Sequence, residues 1–293
     1  LQRSSRPVLL AGNGIRHAHA RSEFCELIER LNVPVVFSRL AADLLPSDHR
    51  LNFGLIGGVA GANRYANFIV QNADLLIVVG SRLSMEVTGA NREDFAREAY
   101  RIVVDIDEVE HRKEGIRIDR FIHADAREFM QRLCKEALSF NNKDWLDLCR
   151  HWKFLFSYPM PTDNPRLKAA FDTLDRSVLQ SEDLRFSHTR EQSYCSSIID
   201  SMAKEDPSAP LDMKLFMTRV SELAPSGTYF VSDAGFTGAA SPAATVFTGN
   251  NRFIMALAQG EMGFALPAAC GAASYTDGPV VSYCGDGSVM MNL

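Results

Sequence analysis

The tetrapeptide Gly285-Asp286-Gly287-Ser288 carries the densest chemistry in the chain. It follows the apolar run Pro279-Val-Val-Ser-Tyr-Cys284, so its carboxylate stands where a buried strand ends. Glycines on both sides let backbone N–H groups come close to an anion. That combination suits a diphosphate held through Mg²⁺, with Asp286 on the metal and the glycine amides and Ser288 hydroxyl on phosphate oxygens. The competing reading is an ordinary Asp-Gly turn. The residues that follow favour the first reading. A two-residue hairpin would lead into an alternating strand, whereas Ser288-Val-Met-Met-Asn292 reads as a helix start with Ser288 near its N-terminus.

A second candidate lies near the start of the chain. Gly12-Asn-Gly14 follows an apolar run as a dinucleotide fingerprint does, but His17 holds the third glycine position. A partial match of this kind is more often a tight strand-to-helix turn. Asp105 and Asp107 end another apolar run, where an acid accepts from a ribose hydroxyl or simply caps the next turn. His17 and His19 are two apart and so do not share a helix face as paired metal ligands would. No Gly-x-Ser-x-Gly elbow supports Ser/His/Asp catalysis.

These residues need a scaffold, and the first 140 residues supply its pattern. Pro7 to Gly12, Pro34 to Phe37, Asp74 to Gly80 and Arg101 to Asp107 are unbroken β-rich runs, as in strands buried on both faces of a parallel sheet. Between them, Ser22 to Leu31 repeats apolar residues at helical spacing with Ser22 as its expected N-cap, and Asn63 to Gln71 reads as another helix. The alternation predicts a doubly wound α/β sheet. From 141 to 210 the composition is that of a linker or insertion, rich in proline and serine, with a helix expected over Asp144 to Phe156. A second α/β unit fills 211–293: a helix over Met213 to Leu223, strands at Thr228 to Ser232 and Pro279 to Cys284, and ten of the nineteen glycines between Gly227 and Gly287.

Bulk properties narrow the function classes. Of 293 residues, 46% are hydrophobic and 23% charged, with a net charge of −5. No basic field draws such a chain to nucleic acid or an anionic membrane. No apolar run approaches the roughly 18 residues of a membrane span. The six cysteines form no CxxC pair, which predicts reduced thiols and a cytoplasmic location. Leu1 is not a methionine and Leu293 falls within an apolar stretch, so both ends read as cut.

Gln259-Gly-Glu-Met-Gly-Phe264 and its continuation to Ala272, then Val280 to Ser288 and Met291-Asn-Leu293, closely resemble the start of the thiamine-diphosphate motif of acetolactate synthases. Val231-Ser-Asp-Ala-Gly235 is similar to the Asp-x-Gly segment of those enzymes. Ala66 to Leu83, Val87-Thr-Gly89 and Val104-Asp-Ile-Asp107 resemble their middle domain, in the same order. The resemblance implies a thiamine-diphosphate- and Mg²⁺-dependent lyase or transferase acting on a 2-oxo acid, a homodimer or homotetramer at full length. It implies Asp286 as a metal ligand, with Gly285, Gly287, Ser288, Gly235 and Thr237 near the diphosphate. It further implies the Gly260 carbonyl on the aminopyrimidine, with Glu261 beside it, and Met262 wedged under the bent cofactor. Three positions depart from the pattern. Phe236-Thr237 replace Gln-His, Glu261 replaces a small residue, and Glu86 stands where an arginine precedes Val-Thr-Gly. The last counts against the flavin dinucleotide FAD, although Arg82 is retained. In the family it resembles, the glutamate that starts the chemistry lies on an N-terminal pyrimidine-binding domain that would precede Leu1, so the resemblance assigns no catalytic residue here and implies that the chain alone lacks turnover. A simple decarboxylase of the same cofactor, a non-catalytic nucleotide-binding or subunit-association module, and a dinucleotide-dependent oxidoreductase are the other readings.

Overall fold

The computed structural model describes residues 4–57, 61–136, 140, 142–157, 212–256 and 259–292. The unbroken apolar runs become the strands they predict. β1 (Pro7–Ala11), β2 (Val35–Phe37) and β4 (Leu75–Val79) are buried at every residue, and β5 spans Tyr100–Asp105. With β3 (Asn52–Leu55) and β6 (Arg120–His123) they form one parallel sheet in the order β3-β2-β1-β4-β5-β6. This is the doubly wound order, whose direction reverses between β1 and β4.

Helices α1 (Gly14–His17), α2 (Arg21–Leu31), α3 (Arg64–Gln71), α4 (Met85–Thr88) and α5 (Ala126–Leu133) cover the sheet. The expected stripe of Phe24, Leu27, Ile28 and Leu31 is the buried face of α2. Its start differs from the expectation. Ala20 is the N-cap, and the Ser22 hydroxyl, one residue inside the helix, turns to Glu23 Oε2 at 2.8 Å. Asn32 stops the helix in a left-handed conformation, φ 50°, which asparagine tolerates better than most residues.

Helix α6 (Lys143–Phe156) occupies the helical part of the linking stretch but packs on the first sheet's layer. Trp145, Leu148 and Trp152 are buried, and Trp145 Nε1 donates to Pro7 O at 3.1 Å. The remainder of that stretch, 158–211, lies outside the described residues.

The second sheet has the order β8-β7-β9, from β7 (Tyr229–Ser232), β8 (Arg252–Met255) and β9 (Val280–Tyr283), again parallel. The helices Met213–Leu223, Gly235–Ala244, Ala265–Tyr275 and Asp286–Met290 accompany it. Asp43, fully buried, joins the two sheets. Its Oδ1 meets Arg16 at 2.6 Å, and its Oδ2 accepts from Arg252 at 2.6 Å and from the Phe253 amide at 2.9 Å. Among the described residues no helix is long and apolar enough to cross a membrane.

Candidate functional site

Parallel strands deliver their carboxyl ends to one edge, and loops there carry the variable chemistry. At the end of β7, Asp233 is 1% exposed. A buried carboxylate is tolerable only when its acceptors are filled. Here three amides fill them: Ala234 at 3.0 Å and Phe264 at 3.2 Å on Oδ1, and Gly263 at 3.1 Å on Oδ2. Asp233 therefore clasps the Gly260–Phe264 turn to the end of the central strand. A second tie comes from Asn292, whose Nδ2 donates to Gly263 O at 2.5 Å. Together they bring three segments to one place: the end of β7, the turn at 260–264 and the helix Asp286–Met290.

That helix begins at Asp286 with Gly285 as N-cap, which puts Ser288 in its first turn, near the N-terminus as the sequence suggests. Gly287 N–H donates to Asp286 Oδ1 at 2.8 Å, leaving the other carboxylate oxygen without a donor among the described residues. Asp286 and Gly287 are exposed, while Ser288 is buried. The glycines around them border space. A Cβ on Gly235 or Gly260 would meet nothing within 4 Å, and one on Gly287 would meet only Met262 Cε at 3.9 Å. Gly235 (φ +76°) and Gly260 (φ +69°) also adopt left-handed conformations that L side chains avoid. Met262, 53% exposed, thus stands over the first turn of the Asp286 helix. Glu261 is exposed beside it. The Thr237 hydroxyl donates to Ala234 O at 2.9 Å, so what it offers a ligand is its acceptor lone pairs.

The arrangement fits an anion and a hard cation. Open glycine backbone surrounds an exposed carboxylate whose second oxygen is unclaimed. No group of three or more His, Cys, Asp or Glu able to hold a metal occurs among the described residues. A cation here would take one protein carboxylate and complete its shell with ligand or water oxygens, the usual habit of Mg²⁺. In the sequence Asp233 stands only as one member of the Val231–Gly235 segment, and Asn292 carries no signal of a role here. Their function as clasps depends on which loop amides approach them, which spacing does not reveal.

The first sheet has its own cavity, about 470 Å³, at the carboxyl ends of β1, β4 and β5. Gly14, Arg82 and Asp105 line it, and Gly12 and Asp107 do not. The Gly12 amide donates to Val79 O and the Gly14 amide to Gly80 O, both at 2.9 Å. A Cβ on Gly12 would lie 2.1 Å from Gly80 O, and one on Gly14 2.6 Å from Gly80 Cα. These glycines let two turns touch. Asp107 Oδ1 accepts from the Glu110 amide at 3.0 Å, capping the next turn. Asp105 faces the cavity with His111 Nε2 3.4 Å behind it. Burial pushes the Asp105 carboxyl up, but His111 and the amides of Asp107 and Ile106 outweigh it and hold it below its ordinary value. His17 and His19 are both exposed.

Comparison with known proteins gives two matches in chain order. Residues 1–133 match the model described as thiamine pyrophosphate enzyme, central domain, and residues 233–293 that of thiamine pyrophosphate enzyme, C-terminal TPP binding domain. A probable acetolactate synthase large subunit of Methanocaldococcus jannaschii is 34% identical over 168 residues, covering 56% of this chain and 28% of that protein. The acetolactate synthase isozyme 1 large subunit of Escherichia coli is 30% identical over 294 residues, covering 99% of this chain and 43% of that protein. The chain thus spans less than half the length of these relatives.

Proposed function

We propose, on the premise that this chain belongs to the thiamine pyrophosphate enzymes, that its second sheet holds thiamine diphosphate with Mg²⁺ for acetolactate-synthase-like chemistry on 2-oxo acids. The observation that carries this reading is the clasped turn. Asp233 and Asn292 hold Gly260–Phe264 against the Asp286 helix, and the glycines between them are left open. Asp286 would hold the metal. The backbone at Gly285, Gly287 and Gly235, with the hydroxyls of Ser288 and Thr237, would take the diphosphate. The Gly260 carbonyl and Glu261 would face the aminopyrimidine, with Met262 under the cofactor. Bound thiamine diphosphate supplies an electron sink for breaking the bond beside the carbonyl of a 2-oxo acid. Exposed Met262 supports this role, because a methionine that only filled a core would be covered.

The whole protein would run decarboxylation followed by carbon–carbon bond formation, as a cytoplasmic homodimer or homotetramer. Free thiols at Cys25, Cys134, Cys149, Cys270 and Cys284 support the reducing compartment. Calorimetric titration of the chain with thiamine diphosphate tests the binding half. Saturable binding that requires Mg²⁺ and disappears in Asp286→Asn is expected; metal-independent binding, or none by the folded chain, would overturn it. Pyruvate assays test the catalytic half. Turnover is expected from the intact protein and not from residues 1–293 alone, and turnover by these residues alone would refute that expectation.

A further inference from the structure

We infer that the cavity at the carboxyl end of the first sheet is a nucleoside-type pocket that excludes the flavin dinucleotide implied by a likeness to acetolactate synthases. The cavity opens where the strand order reverses between β1 and β4, the place where open parallel sheets bind ligands. At about 470 Å³ it has the size of a small-molecule site.

Two features argue against a diphosphate. A glycine turn cradles phosphate with free amides, but the Gly12 and Gly14 amides are spent on Val79 O and Gly80 O. The lining charges also run the wrong way. Glu86, Asp105 and Asp125 face Arg39 and Arg82. Arg39 is buried and ion-paired with Glu86, so its charge is already matched. Arg82 is exposed at the rim, where it shares its field with Glu110. A doubly charged diphosphate would be desolvated against a surplus of carboxylate. Flavin dinucleotide does not fit this wall.

A nucleoside does. Leu40, Ile106 and Ala124 offer apolar surface to a flat base. The Asp105 carboxylate, at the end of β5, is placed to accept from ribose hydroxyls, which bring donors and no charge. Asp125 keeps its place as the N-cap of α5, accepting from the Arg127 and Glu128 amides at 2.8 and 3.3 Å.

The test is calorimetry on the intact protein with adenosine, ADP and FAD in turn, together with the visible absorbance of the purified protein. Saturable adenosine binding at least about tenfold tighter than either phosphate-bearing ligand is expected. Glu86→Arg should narrow that gap about tenfold by replacing an acid with a cation. Asp105→Asn should weaken adenosine while leaving Mg²⁺-dependent thiamine diphosphate binding at the other sheet unchanged. Circular dichroism confirms that both variants fold. Stoichiometric flavin in the purified protein, FAD or ADP binding as tightly as adenosine, or no adenosine binding by folded protein would each overturn the inference. Because the thiamine diphosphate titration reads a different sheet, its failure and this one are separable.

Discussion

The two sheets use the same residue in the same kind of turn for opposite ends. After β1, Gly12 and Gly14 are glycines because the Gly80 backbone leaves no room for a Cβ. After β7, at the 260–264 turn and after β9, Gly235, Gly260 and Gly287 border open space. A glycine that packs and a glycine that leaves room look alike in a sequence. They separate only when the neighbouring strand is in place, since the atom that fills the gap comes from nearly seventy residues away. The difference teaches where a ligand is to be sought: where glycine is required and nothing of the chain explains it.

The largest expected effect tests whether the two sheets act as one unit. Asp43→Ala removes the shared acid from Arg16, Arg252 and the Phe253 amide. Stranding two guanidiniums and an amide should cost about 3 kcal/mol. Urea unfolding measures it, and a loss below about 1 kcal/mol would mean that the sheets are joined by other contacts. Gly12→Ala comes next. A Cβ 2.1 Å from a backbone oxygen has no flexible side chain to push aside, so a destabilisation of about 2 kcal/mol or more is expected. A neutral result would break the comparison at its packed end.

A smaller effect is confined to the first sheet. Lys153 on α6 donates to Asn52 O at 2.6 Å and Ser47 O at 3.3 Å, and burial pulls its amine down to about 8. Its folded value is below the unfolded one, so between roughly pH 8 and the ordinary lysine range the unfolded chain binds more protons. Stability attributable to this group should therefore rise with pH through that window. Lys153→Met, which has no charge to lose, should flatten the rise when unfolding is followed from pH 7.5 to 10. An unchanged slope would show that the two carbonyls compensate the charge.

Much of this architecture was legible in the sequence because the central strands are unbroken apolar runs and α2 repeats at helical spacing. The strands that were not foreseen lack that signal for physical reasons. β3 carries Asn52 and a left-handed Gly54 in four residues, and β6 is an edge strand with its ends exposed. β8 opens on Arg252, which reads as polar until its partner Asp43 is known. The candidate site divides in the same way. Gly260, Met262 and Asp286 were recognisable as a motif, whereas Asp233 and Asn292 act through amides and carbonyls of a distant turn.

The smallest stability effect is the sharpest test of the open glycines. Gly287 lies within the first turn of the Asp286 helix and does not need a positive φ. Alanine there gains helix propensity, roughly 0.5–1 kcal/mol in a helix interior and less in a first turn. Its only neighbour would be Met262 Cε at 3.9 Å, an ordinary contact. Gly287→Ala should therefore hold or slightly raise the unfolding midpoint while weakening Mg²⁺-dependent thiamine diphosphate binding, since the new methyl occupies the space through which the backbone would approach phosphate. Gly12→Ala should do the reverse, lowering the midpoint with no direct effect on that ligand. If Gly287→Ala leaves the affinity untouched, the diphosphate does not lie against this turn, and the open space after β9 serves some other approach.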